Sequence, residues 1–509
     1  MALVKTGTSL RQAGNPTHFT LQPPGTGRSL HIMTTDTTLL LSDLRAALGD
    51  ACVLTGEAAA PYRIDWMGDT RPEPLAVLRP ADTGEVSKAL QCALRHGTPV
   101  VPISGNTGLT HGTDAGGALL LSLDRLNTIR EIRPDARVAV VEAGVILANL
   151  HEAADAHDLI FPLTFGARGS AMIGGALSTN AGGSNVVRYG STRGLCLGIE
   201  AVLADGRVLD LMSAVHKDNS GYDLRDLLIG AEGTLGIITA AVLKLAPRPR
   251  AYVSAMAACP SIAAALTLLH RLQAETANSV EAFELMPGNY IDAHLTRYPD
   301  ARAPFEQRHD VNIFLELGAL SARDATPDAT GAVPMASHLE TVLSDMLEAG
   351  DILDATVAQN AAQRSEMWAR REAAAELTRL HSPVVDNDIA VPLDRMADLI
   401  AGIETETRAI DPGIRFLHVA HLGDGNLHFS GWPTTDDPEV HAAVNRAVEN
   451  VAISLGGSFS AEHGVGLSKR PAMALHKDAV ALDVMRSIKA ALDPQNILNP
   501  GKVLPGPPG

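Results

Sequence analysis

Hydrophobic and polar positions alternate along the chain in two regimes. In the first, residues 37–48 read as a helix and residues 75–78 as a short apolar strand. Asp82 followed by Glu85 gives a capping-box-like start, and Val86, Leu90, Ala93 and Leu94 recur at helical spacing behind it. Gly97 ends that helix and residues 99–103 form the next strand, a βαβ entry that runs directly into the loop Ser104–Thr110. Further strands are expected at 118–122, 138–142, 198–203 and 235–245, before a proline-rich break at 246–250. Beyond that break the units lengthen. Strands at 252–257, 311–317, 415–420 and 427–432 accompany helices at 262–272, 338–349, 361–380 and 439–455. Strands that alternate with helices and return as hairpins predict a second, α+β domain with an antiparallel sheet.

Composition narrows what such a chain can be. Its 509 residues allow two to four cores, and 46% hydrophobic with 19% charged residues excludes wholesale disorder. Lys and Arg number 41 against 58 Asp and Glu, a net charge of −17 that argues against a nucleic-acid partner. No apolar run reaches the ~18 residues of a membrane-spanning helix. Cys52, Cys92, Cys196 and Cys259 are far apart, which excludes a cysteine-rich zinc ribbon or an in-chain iron–sulfur cluster and favours a reducing compartment. The first 35 residues hold no Asp or Glu, and residues 1–36 are expected to be a flexible tail rather than a targeting helix. Between Gly97 and Gly236 lie 21 of the 45 glycines, the enrichment expected of a chain packed closely against a large ligand.

The sharpest chemical signal is His421-Leu-Gly-Asp-Gly-Asn-Leu-His428. Gly-Asp-Gly-Asn suits a four-residue hairpin loop, so Leu422 is expected to face Leu427 and His421 to face His428. Directly opposed residues have Cβ atoms about 4.5–5.5 Å apart, close enough for two imidazoles to share a cation. Glu462, in the glycine-flanked turn Ser460-Ala-Glu-His-Gly-Val-Gly466, offers a third ligand. Two His and one carboxylate leave coordination sites open, as a catalytic metal requires. His463 adjoins them, and an imidazole is suited to take a proton near neutral pH. These residues alone leave open which His is the base and which are ligands.

Several further blocks occur in a fixed order: Pro102-Ile103-Ser104-Gly105-Asn106-Thr107-Gly108-Leu109-Thr110; Gly174, Gly175, Ser178, Asn180, Gly182 and Gly183 within residues 173–183; Arg188-Tyr189-Gly190; Glu232, Gly236 and Ile237; and Asn499 in Asn-Pro-Gly-Lys502. They resemble the FAD-binding domain of the vanillyl-alcohol-oxidase-type flavoproteins. With His421, His428, Glu462 and His463 the match narrows to the branch holding D-2-hydroxyglutarate dehydrogenase, D-lactate dehydrogenase and the flavin subunit of glycolate oxidase. The resemblance implies an α+β chain. Residues 37–250 would be a two-part FAD-binding domain, 251–465 a substrate- and metal-binding cap with an antiparallel sheet, and 466–509 a helix and loop returning to the FAD domain. It implies non-covalent FAD, since no His or Cys stands at the loop position where some relatives tether the flavin. It also implies a divalent metal on His421, His428 and Glu462, zinc or alternatively manganese, with His463 as catalytic base. Glycine-rich turns fit the pyrophosphate, because their backbone N–H groups form an anion-binding nest.

The implied reaction is oxidation of a small D-2-hydroxy acid, with electrons leaving through a separate carrier (a quinone, an electron-transfer flavoprotein or a cytochrome). Arg371, with Arg370 as the alternative, matches the arginine that pairs with a substrate carboxylate. A homodimer is compatible with this picture. So is a cytoplasmic location, with attachment to the inner membrane surface as the alternative, or the mitochondrial matrix if the source is eukaryotic. Three positions depart from the hydroxyglutarate-type pattern: Ala375 in place of Thr, Asp386 in place of Lys, and Ser430 in place of Asn. Exchanging Lys for Asp replaces attraction by repulsion toward a second carboxylate, so hydroxyglutarate is expected to be a poor substrate. The rival readings are an oxygen-using flavin oxidase, a zinc hydrolase with a phosphate-binding domain, and a noncatalytic nucleotide-binding module.

Overall fold

The computed structural model describes residues 37–506 except 66, 67, 69 and 330; the expected tail at 1–36 lies outside the described residues. The capping box forms as its chemistry dictates. Asp82 accepts from the N–H of Glu85 at 2.8 Å, and Glu85 reaches back to the N–H of Ala81 at 2.7 Å. The helix it starts, Thr83–Arg95, buries Val86, Ala89, Leu90 and Ala93 in one core with Leu40 and Leu44 of helix Thr37–Leu48. Beside them lies a four-stranded sheet in the order Val53–Leu54, Ala76–Leu78, Leu119–Ser122, Val100–Ile103, of which the last three are parallel.

A second sheet has five antiparallel strands in the order Ile129–Arg133, Val138–Glu142, Ile237–Lys244, Cys196–Val202, Val208–Leu211. The proline-rich break is not a plain hinge, because Ala246–Pro247 pairs with Leu159–Ile160. The end of the chain returns to the first sheet, where Val100 exchanges backbone hydrogen bonds with Ile497 and Asn499 at 2.7 and 2.8 Å.

After residue 250 a seven-stranded antiparallel sheet runs Asp354–Val357, Ala251–Cys259, Val311–Ala319, Val280–Pro287, Arg415–His421, Asn426–Trp432, Val385–Ala390. One face buries its side chains against helices Ile262–Glu275, Pro334–Ala349, Met396–Ile410 and Pro438–Ser454. The other packs Met256, Ala282, Phe314 and Val419 against Tyr290, Met367 and Leu377. Strand alternation puts Glu284, Asp388, His421 and His428 on this second face as well.

Three expectations are corrected. The helix expected at 361–380 is two pieces, Ala361–Glu372 and Ala374–Leu377. The helix expected from 338 begins at Pro334, since proline in the first turn loses no needed N–H. The hairpin register is shifted: His421 opposes Asn426 and His428 opposes Val419, so the loop is 422–425. Asn426 is drawn into the ladder because its side-chain N–H donates to Asp388 Oδ1 and to the Ile389 carbonyl, both at 2.9 Å. Gly425 takes the left-handed corner at φ 84°, where a Cβ would come within 2.2 Å of the Val391 carbonyl. Leu422 is fully buried in the helix-side core. The shift is two residues rather than one, so both imidazoles stay on one face as diagonal neighbours, their centroids 5.3 Å apart.

Candidate functional site

The three histidines converge on one oxygen. Glu462 Oε1 lies 3.3 Å from His428 Nε2, 3.9 Å from His421 Nε2 and 4.0 Å from His463 Nε2. Each opposite ring nitrogen faces a buried carboxylate. His421 Nδ1 is 2.9 Å from Glu284 Oε1, and His428 Nδ1 and His463 Nδ1 are 3.7 and 3.8 Å from the two oxygens of Asp388. Burial alone would raise the Glu284 carboxyl, but His421 and Arg371 outweigh it and hold it at about 2. Burial likewise pushes His421 down, and Glu284 reverses this, raising it to about 9. Asp388 is held far below the ordinary carboxylate range, because His463, Lys469 and His428 overcome its desolvation.

Ligand atoms of Asp388, His428, Glu462 and His463 all lie within 4.8 Å of one another. That group includes Asp388 and leaves out His421, whose Nε2 stands 3.9 Å from Glu462 Oε1; imidazole and carboxylate donors gathered in this way suit a divalent ion.

The glycine-rich blocks lie against this cluster. The loop 104–110 leaves strand Val100–Ile103, and no backbone N–H from Gly105 to Thr110 donates a hydrogen bond among the described residues. Those amides are in the state a backbone nest needs in order to receive an anion. Gly105 presses on the Ser170 carbonyl, where a Cβ would come within 2.2 Å. Helix Ile173–Thr179 begins beneath it, with Gly175 N–H donating to Ser104 Oγ at 3.2 Å and Gly174 close against Ala143.

Ser178 accepts from the N–H of Glu232 at 2.8 Å, and Asn180, the left-handed C-cap, accepts from the N–H of Arg193 at 2.9 Å. Gly236 and Ile237 pack inward, Ile237 being fully buried, so only their backbone can serve a cofactor.

Two contacts join the glycine-rich segments to the histidine cluster. A Cβ at Gly182 would come within 2.8 Å of Glu462 Oε2. The buried Glu232 carboxylate accepts from the N–H groups of Val465 and Gly466 at 2.6 and 2.9 Å, while Asn499 Nδ2 donates to the Glu232 carbonyl at 2.8 Å. Arg188 and Tyr189 have a different occupation. Both polar ends bind Glu281 Oε1, at 2.5 and 2.9 Å, across to the seven-stranded sheet.

Arg371 and Arg370 separate clearly. Arg371 donates to Glu284 Oε2 at 2.6 Å and lies 3.5 Å from His421 Nε2, whereas Arg370 turns away to the Arg302 carbonyl. Asp386 and Ser430 oppose each other in the sheet, one step along from Asp388 and His428. The Asp386 side chain is open to solvent but close-walled, and the loss of hydration raises its carboxyl although Ser430 bonds to it. Ala375 is exposed on helix Ala374–Leu377.

Sequence reasoning missed Glu284 and Asp388, and with them the strands Val280–Pro287 and Val385–Ala390. Glu284 is a lone charge in the apolar run Ala-Phe-Glu-Leu-Met, which a soluble core tolerates only when that charge is paired. That run was the available signal.

The architecture is the α+β fold of the vanillyl-alcohol-oxidase type. The chain superposes on p-cresol methylhydroxylase with a TM-score of 0.70 at 17% identity, covering 91% of this chain and 96% of that one. It superposes on 4-ethylphenol oxidase from Gulosibacter chungangensis with a TM-score of 0.66 at 19% identity, over 92% and 97%. Residues 74–212 match the FAD binding domain model, and residues 248–503 match the model of the C-terminal domain of FAD linked oxidases. The chain belongs to the FAD-linked oxidase family. It is 34% identical over 469 residues to the mitochondrial D-2-hydroxyglutarate dehydrogenase of Rattus norvegicus, covering 89% of this chain and 84% of that protein. It is 35% identical over 448 residues to the D-2-hydroxyglutarate dehydrogenase of Xanthomonas citri pv. viticola, over 87% and 92%.

Proposed function

We propose that this protein is an FAD-linked dehydrogenase that oxidises a D-2-hydroxy acid to the 2-oxo acid with the help of a divalent metal. The observation that carries the reading is the meeting of three imidazole Nε2 atoms on one Glu462 oxygen, which lies against Gly182 of the glycine-rich segment. When bound, FAD supplies a hydride acceptor, and a zinc or manganese ion on His421, His428 and Glu462 supplies Lewis acidity that makes a substrate hydroxyl easier to deprotonate.

The side chains do the rest. Arg371, braced by Glu284, offers its guanidinium to the substrate carboxylate. His463 takes the hydroxyl proton, and the α-hydrogen leaves with its electron pair. Holding the reacting groups at fixed geometry removes much of the entropic cost of the encounter.

Asp386 sets the substrate's tail: a carboxylate there disfavours a second carboxylate and favours a neutral or cationic group. Electrons leave through a separate carrier, a quinone, an electron-transfer flavoprotein or a cytochrome. The reading places the chain in the cytoplasm, at the inner membrane surface or in a mitochondrial matrix, and accommodates a homodimer. No helix among the described residues is long and apolar enough to cross a membrane.

The test is anaerobic bleaching of the bound flavin by a panel of D-2-hydroxy acids, with and without a chelator. Bleaching by at least one D-acid, slowed by the chelator and restored by zinc or manganese, is expected. A flavin that no member of the panel reduces would overturn the reading.

A further inference from the structure

Glu462 and His463 reach the sheet from a stretch of chain outside it, so their position depends on whatever holds the turn. Asp388, 1% exposed in strand Val385–Ala390, does so. Its Oδ2 accepts from three successive backbone N–H groups, those of Ala461, Glu462 and His463, at 3.2, 2.9 and 2.9 Å. The buried Lys469 ammonium stands 3.5 Å from the same oxygen and donates to Ser460 Oγ in the turn and to the Asp388 carbonyl. Asp388 Oδ1 accepts from Asn426 Nδ2, the contact that sets the end of the histidine hairpin. One carboxylate thus ties together the strand, the hairpin carrying His421 and His428, and the turn carrying Glu462 and His463. It also faces the Nδ1 atoms of His428 and His463.

A carboxylate has about four lone-pair directions. Here three amides claim Oδ2, which the ammonium also faces, while Oδ1 accepts from Asn426 and lies behind the His428 ring, on the Nδ1 side away from the Nε2 that meets Glu462. We infer that Asp388 is a positioning residue of the metal cluster and not one of its ligands, an inference that rests on the reading of His421, His428 and Glu462 as the metal site. It sets where Glu462 stands and which ring nitrogens of His428 and His463 turn toward the ion.

The test uses the FAD-loaded full chain, stripped of metal and titrated with cobalt(II) and zinc(II). Uptake of about one ion by the unaltered protein, with a cobalt absorption band, checks the metal reading itself. If no ion binds there, that reading fails and the inference falls with it. Given uptake, Asp388→Asn should keep FAD stoichiometry and bind both ions about 10- to 100-fold more weakly, the range for groups that orient ligands. Its cobalt band should shift, and kcat should stay lowered at saturating zinc.

Asp388→Glu guards against a folding defect in the first variant. It keeps the charge but displaces the turn by about one bond length, ~1.5 Å, and should weaken binding in the same way. Unchanged affinity and spectrum in a folded variant would overturn the inference. So would complete loss of one ion with FAD retained, which would make Asp388 a ligand.

Discussion

At the scale of single residues, the proposed reading separates groups that would meet the ion and substrate from groups that would hold them. Glu462 is the one oxygen all three Nε2 atoms share, so Glu462→Gln should lose the ion while keeping FAD. Loss of several kcal/mol of Lewis-acid stabilisation corresponds to roughly 10²–10³ in kcat. Metal analysis beside steady-state rates checks both halves; retention of the ion would contradict the assignment. Asp386 bears on the choice of substrate. Asp386→Lys should raise kcat/KM for D-2-hydroxyglutarate relative to D-lactate by about tenfold or more, which is ~1.4 kcal/mol of tail binding. A side-by-side assay decides it, and an unchanged ratio would remove Asp386 from the specificity argument.

At the scale of elements, two buried histidines tie particular pieces of secondary structure to pH. His418, on the helix side of strand Arg415–His421, lies among Ile400, Ile403, Glu404, Phe416, Leu427 and Phe429, and burial lowers it to about 4. His294, on helix Gly288–Arg297, is lowered to about 4 by burial and then by Arg370. Between about pH 6.5 and 4 the unfolded chain takes up a proton at each of these positions and the folded chain does not. Stability therefore falls as pH drops through that window, by up to ~3 kcal/mol per histidine. Thermal midpoints at pH 7, 6 and 5 should decline, and His418→Leu should flatten the decline; a parallel curve would exclude His418 as a contributor.

Local signals alone start helix Thr83–Arg95, so Asp82→Ala should cost ~1 kcal/mol with no change in kcat, read from the same melts. The hairpin shows how far such signals reach. Turn composition located the loop to within a residue, while Asn426, drawn to Asp388, set the register.

At the scale of the whole molecule, the glycine-rich segment and the seven-stranded sheet are pinned together by Glu281, which holds Arg188 and Tyr189. Glu281→Ala leaves Arg188 buried without its carboxylate, and breaking such a pair costs ~3–5 kcal/mol. A markedly lower melting midpoint and faster proteolysis are expected, and unaltered values would show the contact to be dispensable.

The sequence by itself carried the two regimes of elements, the capping box, the glycine-rich loops and the candidate residues His421, His428, Glu462 and His463, which the structure brings together. All of these depend on local spacing, turn chemistry or residue type, which act over a few positions. Tertiary structure alone decided that Arg371 rather than Arg370 turns to the site, that Arg188 and Tyr189 are engaged by Glu281, and that Glu284 and Asp388 stand behind the imidazoles. Each of those outcomes depends on which distant strand supplies a counter-charge to a group removed from water, and no local pattern carries that information.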